Sequence, residues 1–454
     1  MQTEIKENIN TDRDVPSSAP ADSGSASDRG TGAEKVRDPY KSSRLCYIFE
    51  VAVEYFIAIL IGTTYLAKLT TSIGISDGVT GILTSFISLG FGFQIFALFV
   101  AQKKPIKKFV IVMHLINQLC FTFLYVTPLF NIPSAAKSAV FIILLLVGEI
   151  IQNVIFSPKY TWMMALVDDH KRGSFTAKKE IISLLSGMAV SLTMGAVIDN
   201  FEAKGKLNVA FILCGITIFM LTVIHTLLLI LTKEKPEEVK QKTPVGKLIK
   251  EAISDKNLLA LIPLFMLWNV ATYATTPFLG TYSLKELSFS MTLLAVISIV
   301  AALVRAVFSI PMGKFADKFS FLNMLNVCYA VMLMAFSMLI FFGKSFFVAY
   351  QILHAIGMAG VNSGTVNLIY DYTPYHKRTA ALALKNTVVG FAGFLTTLAA
   401  KPLVDRIQAN GNSFLFLENV YAQQVLSAFS ALVIVIIIIY LNVVVRGLKR
   451  HNRF

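Results

Sequence analysis

The chain has 454 residues, of which 55% are hydrophobic and 15% are charged, and its mean hydropathy is +0.66. Ordinary soluble domains carry about 25% charged residues, so this composition excludes a typical water-soluble protein. The formal net charge of +14 does not indicate a nucleic-acid partner, because the basic residues lie in short segments between apolar runs and form no basic face. The apolar runs are about 20 residues long, which is enough to cross a bilayer.

In chain order, residues 1–44 are polar, lack the early apolar core of a signal peptide, and are predicted to be a disordered cytoplasmic tail. Twelve apolar windows follow. Residues 233–257 mix Lys with Glu and Pro and form the predicted cytoplasmic linker, and 446–454 form a basic cytoplasmic tail. The predicted fold is therefore an all-α membrane protein with six-helix bundles at 45–232 and 258–445. The predicted helices are 45–67, 78–101, 109–130, 138–166, 179–199, 207–232, 258–280, 288–312, 323–343, 345–371, 380–404 and 421–445.

The two groups of six helices share an internal repeat. The tripeptide at 170–172 (His-Lys-Arg) recurs at 376–378, an offset of 206 residues (376 minus 170), and three further positions match at this offset. A repeat of this length indicates two related bundles in the same orientation. The further matched pairs are Lys179 with Lys385, Gly187 with Gly393, and Asp199 with Asp405.

Twelve spans place both termini on the same side of the membrane. The connections on the side of the termini contain more Lys and Arg than the opposite loops, so the positive-inside rule predicts that both termini are cytoplasmic. We expect the protein in the plasma (inner) membrane, in contact with the lipid bilayer and as a monomer.

The segment Gly313-Lys314-Phe315-Ala316-Asp317-Lys318, between the eighth and ninth predicted helices, is similar to the start of a loop motif of the major facilitator superfamily. The match is partial, since Ser320 and Phe321 stand where a glycine and a basic residue are usual. The resemblance implies two six-helix bundles, cytoplasmic termini, a long central loop and a broad transport role. It does not identify a substrate. At the cytoplasmic gate or loop motif we expect Arg172, Lys179, Gly313, Asp317, Lys318, Arg378 and Lys385.

Ionisable residues within a span cost about 2.5 to 3.5 kcal/mol on insertion scales, so they pair or line a wet cavity. Polar side chains concentrate in the first, fourth, seventh and tenth helices. The resemblance implies that these four helices surround a central cavity, while the third, sixth, ninth and twelfth face lipid. For any one aromatic residue of these helices, anchoring at the membrane interface or simple packing is the alternative to a role in the cavity. The candidate cavity residues are Glu54, Tyr65, Glu149, Asn153, Trp268, Asn269, Tyr273, Asn362 and Asn367.

Several of the charged residues are candidates for ion coupling or charge pairing. Glu50 and Glu54 lie one helical turn apart, and Lys159 in the fourth helix should lie at a similar depth. We expect Lys159 to pair with Glu54, or else Glu50, and to leave one carboxylate free to exchange a proton. The alternative is that Glu50 and Lys159 snorkel to the interface and only position the helices. Glu149, near mid-membrane, is a candidate for proton coupling or for binding a substrate hydroxyl or amine; a purely structural hydrogen bond is its alternative.

Arg305, about two turns inside the eighth helix, cannot neutralise itself and needs a partner, for which Asp371 or a cluster of helix-end carbonyls would serve. We prefer the interpretation that Arg305 is a structural clamp, and the alternative is that it contacts the substrate. The pairs Lys179 with Lys385 and Asp199 with Asp405 have equivalent positions in the two halves. Symmetric pairs favour a scaffold or gate role, because a substrate is seldom symmetric.

The sequence contains no phosphate-binding loop, catalytic triad or paired metal ligands, and its four cysteines lack metal-site spacing. We therefore expect no enzyme activity, cofactor or metal. The prediction is a secondary transporter that moves a small polar solute, such as a sugar or glycoside, by alternating access, with a proton or sodium as coupling ion. A drug or amphiphile exporter of the same fold is one alternative, and a non-transporting membrane sensor or scaffold is another.

Overall fold

The computed structural model describes residues 38–100, 105–168, 172–235, 244–374, 377–414 and 416–448. Within these ranges the secondary structure is helical apart from one isolated β-bridge between Phe414 and Leu417. Most of the predicted N-terminal tail, part of the linker, His170 and Lys171 of the first repeated tripeptide, His376 of the second and the end of the basic tail lie outside the described residues, as does the side chain of Arg172.

Eleven helices in the described ranges are long and apolar enough to cross a membrane, and one bent helix pair supplies the twelfth span. Each of the twelve predicted helices overlaps one of these spans, so the predicted fold class is confirmed. A short linker helix, Val245–Ile253, precedes span 7. Spans 1 to 12 are, in order, Lys41–Ile61 with Thr63–Ser72, Asp77–Val100, Ile106–Leu129, Ser134–Met164, Arg172–Ala203, Leu207–Leu231, Lys256–Glu286, Met291–Phe319, Phe321–Met338, Lys344–Tyr372, Arg378–Ala409 and Ala422–Gly447.

Span 1 is bent by 44° at Gly62, whose extended backbone (φ −62°, ψ 162°) interrupts the helical hydrogen bonds in mid-span. The sequence predicted a helix at 45–67 and gave no indication of this bend. Span 8 also differs from its prediction, since it continues through Gly313 and Asp317 to Phe319. The motif assigned to a loop is therefore helical. Ser320, at φ 121°, ends span 8 and caps span 9 through its side chain.

Each half of the chain has its own hydrophobic core. The larger cluster lies between Ala252 and Val445 in the second half. The main cluster of the first half lies between Ile57 and Ile218, and Met291 of span 8 joins it. The apolar side chains exposed on the outer surface of the helices, such as Leu231 and Val443, are those that lipid would cover.

The two halves are joined at the face opposite Tyr40 and Leu448, which we call the distal face and which includes loops 73–76, 204–206 and 287–290 and residues 410–414 and 416–421. Lys285 of span 7 lies 2.5 Å from Asp77 Oδ1 at the start of span 2, and Gln408 of span 11 donates to Asp77 Oδ2 at 2.8 Å. These contacts connect one carboxylate of the first half to two helices of the second.

Asp199 and Asp405, matched by the repeat, both lie against the start of a helix of the opposite half at the distal face, and Asp405 also pairs with Lys401 of its own helix. Asp199, near the end of span 5, accepts hydrogen bonds from the backbone N–H groups of Met291 and Thr292 at 2.9 and 2.8 Å. Asp405, near the end of span 11, lies so close to Gly78 that a Cβ added there would be 2.2 Å from its Oδ1. Each aspartate thus meets the start of a helix in the opposite half, where unpaired N–H groups favour a negative charge.

The close approach of spans 1 and 7 leads to a stability prediction at Gly280. A Cβ added to Gly280 would lie 2.5 Å from the backbone oxygen of Thr63 and 2.9 Å from Ala67 Cβ. Because a backbone oxygen cannot move cheaply, we expect Gly280→Ala to lower stability by about 1 to 3 kcal/mol, as overpacking does. Thermal unfolding in detergent measures this change.

Gly313→Ala is the matched control, because a Cβ there meets no atom within 4 Å and alanine favours the helix. A Gly280→Ala protein as stable as the Gly313→Ala protein would contradict the close packing of spans 1 and 7.

Candidate functional site

A cavity of about 350 Å³ lies between the two halves, at the bend of span 1. Spans 1 to 4 line it from the first half and span 7 from the second. Among the described lining residues there are two carboxylates and no lysine or arginine. The apolar part of the wall includes Ile57, Leu83, Phe121 and Leu145. The polar lining residues are Glu54, Thr63, Thr84, Asn117, Gln118, Glu149, Gln152, Thr272, Tyr273 and Thr276.

Helix periodicity and close packing place the carboxylates at this cavity. Leu145, Glu149 and Gln152 are four and three residues apart, so they share one face of span 4. Gly90 of span 2 packs directly against the backbone of span 4 at Glu149, and a Cβ added to Gly90 would lie 2.8 Å from the backbone oxygen of Glu149. Only a glycine allows this approach, which holds span 4 against span 2.

Three of the predicted cavity residues line the cavity: Glu54, Glu149 and Tyr273. Asn153 is buried behind them, where its side chain donates to the backbone oxygen of Glu149 at 2.9 Å. Tyr65 lines an adjacent cavity of about 300 Å³ between spans 1, 5 and 8, and its hydroxyl donates to the backbone oxygen of Ser191 at 2.9 Å.

The other predicted cavity residues lie away from the described lining. Trp268 is buried in the core of the second half, with its ring centroid 5.5 Å from that of Tyr329. Asn269 and Asn367 each donate to a carbonyl one turn earlier in their own helix, and Asn362 is exposed. Composition identified the polar helices, but a span rich in polar residues on several sides does not show which side faces the cavity.

Sequence reasoning missed Asn117 and Gln118, which line the cavity from span 3. The resemblance had placed that helix toward lipid. Both amides are buried, and Asn117 Nδ2 donates to the backbone oxygen of Gly148 at 2.7 Å. Two adjacent amides within an apolar run were the available signal, because lipid cannot satisfy amide groups.

A buried ionic cluster lies behind the cavity wall and consists of Glu50, Glu54, His114, Lys159 and His225. Lys159 Nζ is 2.7 Å from Glu50 Oε1 and also forms an ion pair with Glu54. His225 Nε2 is 2.8 Å from the same Glu50 oxygen, and His114 Nε2 is 3.8 Å from Glu54 Oε1. Gln152 links the cluster to the cavity, since its Nε2 donates to Glu54 Oε1 at 2.7 Å.

The ionic cluster corrects two expectations. Lys159 contacts both glutamates, so it does not leave one carboxylate free of an ion pair. The side chains of Glu50 and Lys159 are 0% and 5% exposed, which is inconsistent with snorkelling to the interface. Ligand atoms of Glu50, Glu54 and His225 lie within 4.8 Å of one another, as in a metal site, but the ammonium of Lys159 takes the position of the cation between the carboxylates.

Arg305 does not pair as expected. Its side chain is exposed on span 8, and no ion pair or hydrogen bond of its guanidinium, to Asp371 or to helix-end carbonyls, is found among the described residues. Residues 305–311 are all exposed and cover about two helical turns, so this segment of span 8 is little packed on any side. Asp371 is half-buried near the end of span 10.

The remaining gate candidates make contacts within their own halves. Lys179 lies 5.3 Å from the ring centroid of Tyr47, and Lys385 lies 5.5 Å from that of Phe265. Arg378 donates to the backbone oxygen of Tyr370 at 2.9 Å. In the helical end of span 8, Lys318 lies over the ring of Phe319, and Asp317 is exposed. The gate role of these residues stays a prediction.

The ionic cluster leads to a prediction for Lys159→Met. Removing the ammonium leaves two buried carboxylates without their shared partner, and breaking a buried pair costs about 3 to 5 kcal/mol. We expect a corresponding loss of thermal stability in detergent, with partial recovery in the double variant Lys159→Met, Glu50→Gln. Lys178→Met, at an exposed position of span 5, is the control. Equal stability of the Lys159→Met and Lys178→Met proteins would show that the pair is not formed.

The fold and cavity can be compared with known proteins. The family model described as Major Facilitator Superfamily matches residues 45–397 and 301–452. No curated protein matches the chain by sequence. Among solved structures, a mutant of the nucleoside transporter NupG is similar, with a TM-score of 0.71, 13% identity, and coverage of 88% of this chain and 99% of that one.

Two other solved transporters have the same fold. A peptide transporter of the POT family has a TM-score of 0.68 and 13% identity, covering 91% of this chain and 98% of its own. A D-xylose-proton symporter has a TM-score of 0.57 and 14% identity, with coverage of 87% and 96%. These identities establish the fold alone, whereas the family model covers most of the chain. The chain belongs to the Major Facilitator Superfamily and has the fold of its membrane transporters.

Proposed function

We propose that this protein is a secondary transporter that moves a small neutral or cationic polar solute, a sugar or a glycoside such as a nucleoside, by alternating access. The observation that carries the proposal is the cavity between the halves, with its carboxylates, amides and hydroxyls. Its volume of about 350 Å³ falls in the range of small-molecule sites.

The charges of the cavity favour some solutes over others. Glu54 and Glu149 face it, and the described lining offers no lysine or arginine to compensate an anion. A phosphorylated or carboxylated solute would be repelled, whereas hydroxyl and amine groups can donate to the carboxylates and to amide oxygens. The side-chain oxygens of Asn117 and Gln118 are buried in the cavity wall without a hydrogen-bond partner among the described residues, so a solute can donate to them only if these side chains turn toward the cavity.

The solved transporters with this fold support the substrate class. NupG is described as a nucleoside transporter, and another protein is described as a D-xylose-proton symporter. Nucleosides and pentoses both carry several hydroxyl groups and no obligatory negative charge. Such solutes suit the polar groups in this cavity.

The halves provide the two bodies that alternating access requires. At the distal face they are fastened by Asp77 with Lys285 and Gln408, and by Asp199 with the start of span 8. Opening that face requires these contacts to break while the cavity stays between the halves. The surplus of Lys and Arg on the side of the termini supports cytoplasmic termini in a plasma membrane, and we infer a monomer.

Glu54 connects the cavity to the ionic cluster, which supports proton coupling. One of its carboxylate oxygens accepts from Gln152 on the cavity side, and the other pairs with Lys159. Protonation of Glu54 would weaken its pairing with Lys159 and change the hydrogen bonding of the cavity wall. A sodium ion is the less suitable coupling ion, because the ammonium of Lys159 is already between the two carboxylates.

An exporter of lipophilic cations is the second candidate function. The carboxylates and the apolar side chains of the wall could together hold a cationic amphiphile. Direct binding measurements separate it from the first candidate.

The substrate class is tested with ligand-induced thermal stabilisation of the purified protein, using nucleosides, pentoses, hexoses and lipophilic cations. We expect nucleosides or sugars to stabilise the protein by mass action, and Gln118→Leu to remove most of the shift because it removes an amide from the cavity wall. Asn208→Leu, at an exposed position of span 6, should keep the shift. Stabilisation by lipophilic cations alone would favour the exporter.

Proton coupling is tested with Glu54→Gln in proteoliposomes. We expect substrate exchange to continue without a gradient, while uptake driven by a pH gradient falls at least tenfold and loses its pH dependence, because a glutamine cannot carry the proton. Glu180→Gln, an exposed glutamate of span 5, should behave as the natural protein. Unchanged uptake and unchanged pH dependence in Glu54→Gln would remove Glu54 from the coupling mechanism.

A further inference from the structure

Two histidines lie within the ionic cluster, away from the described lining of the cavity. His114 comes from span 3 and His225 from span 6, and both are buried, with 1% and 0% exposure. Their ring centroids are 4.9 Å apart. Each ring approaches a different carboxylate, His225 that of Glu50 and His114 that of Glu54. The two imidazoles therefore contact the same two carboxylates as Lys159.

The charges of the cluster do not balance without a further proton. Glu50 and Glu54 together carry two negative charges, and Lys159 supplies one positive charge. Their side chains are 0%, 17% and 5% exposed, so water screens them little. An uncompensated charge in this environment is costly, so one more positive charge should be held within the cluster.

Other titratable groups near the cluster do not supply this charge by direct contact. Tyr47 and Tyr160 are neutral phenols, and the ammonium of Lys179 lies over both rings, at 5.3 and 5.8 Å from their centroids. Among the described residues Lys179 forms no ion pair with Glu50 or Glu54; its closest acidic neighbour in sequence is Glu180. The imidazoles are the bases in direct contact with the carboxylates.

The hydrogen bonds indicate which imidazole takes the proton. Glu50 Oε1 is the shared acceptor for Lys159 at 2.7 Å and His225 at 2.8 Å. Glu50 Oε2, His225 Nδ1 and both ring nitrogens of His114 have no hydrogen-bond partner among the described residues. His225 is therefore the imidazole within hydrogen-bond distance of a carboxylate, and a proton added at its Nδ1 turns the contact of Nε2 with Glu50 into an ion pair.

We propose that His225 and His114 form a proton-binding site, in which one proton on His225 balances the two carboxylates against the single ammonium. His114 lies between Glu54, which faces the cavity, and His225. A proton that enters on Glu54 passes to His114 and then to His225, which leaves Glu54 again as a carboxylate. The link to transport rests on the proposed function, but the charge state of the imidazoles does not.

The charge state can be measured without any substrate, by NMR of the purified protein with ¹⁵N-labelled histidine at pH 8. Exposed histidines, with a pKa of about 6.5, are neutral at this pH. We expect one imidazolium in the natural protein and none in the double variant His114→Gln, His225→Gln, which leaves no imidazole in the cluster. Charge balance further predicts two imidazolium rings in Lys159→Met and none in Glu54→Gln. Thr222→Val, three residues from His225 on span 6, should keep one.

Neutral rings throughout the natural protein, or an imidazolium that persists in the double variant His114→Gln, His225→Gln, would overturn the proposal. If Lys159→Met does not fold, Glu54→Gln keeps the test decisive, because its cluster is balanced without the extra proton and an unchanged imidazolium signal contradicts the charge count.

A transport measurement then tests the role of the site. With uridine and D-xylose as probes, His225→Gln should retain exchange across proteoliposomes and lose at least tenfold in uptake driven by a pH gradient. Equal loss of exchange and driven uptake would indicate a structural role and reject the proton site. If the natural protein transports neither probe, the proposed substrate class fails, whereas the NMR charge count still decides the proposal on the histidines.

Discussion

A charge buried in hydrocarbon must find its partner within the protein, and this constraint organises the first half of the molecule. Lys159 of span 4 satisfies it by holding two carboxylates of span 1, and His225 of span 6 and His114 of span 3 complete the same cluster. Four helices are thereby joined at one point. Because Glu54 also faces the cavity, a change in its charge affects both the packing of these helices and the wall of the cavity.

The two halves are both helical bundles, but different interactions hold them together: the first contains the buried ionic cluster. The second half is held together by a large apolar core and by hydroxyl and amide contacts, such as Thr275 with Ser430 at 2.7 Å and Asn442 with Asn326 at 2.6 Å. Span 7 alone brings residues of this half to the described cavity lining. At the cavity, the first half therefore contributes the carboxylates, and the second half contributes the neutral side chains of span 7.

The sequence was sufficient for the fold because the length and hydropathy of a span are properties of the chain itself. It also placed Lys159 at the depth of Glu54 and Glu50, since helix rise fixes depth. It could not show that Trp268 faces the core or that Gln118 faces the cavity, because an apolar span gives no periodic signal for its orientation. Nor could it show that His225 meets Glu50, a contact between residues 175 positions apart. The helical end of span 8 was missed because a family motif had been read as a loop.

The contact of Asp199 with the start of span 8 unites a side chain with two backbone N–H groups. Every amino acid except proline supplies such a group, so evolution can vary the side chains at 291 and 292 without losing the donors. The acceptor, Asp199, has no such freedom, because its carboxylate is part of the side chain. Substitutions at 291 and 292 therefore keep the contact, whereas replacement of Asp199 removes it.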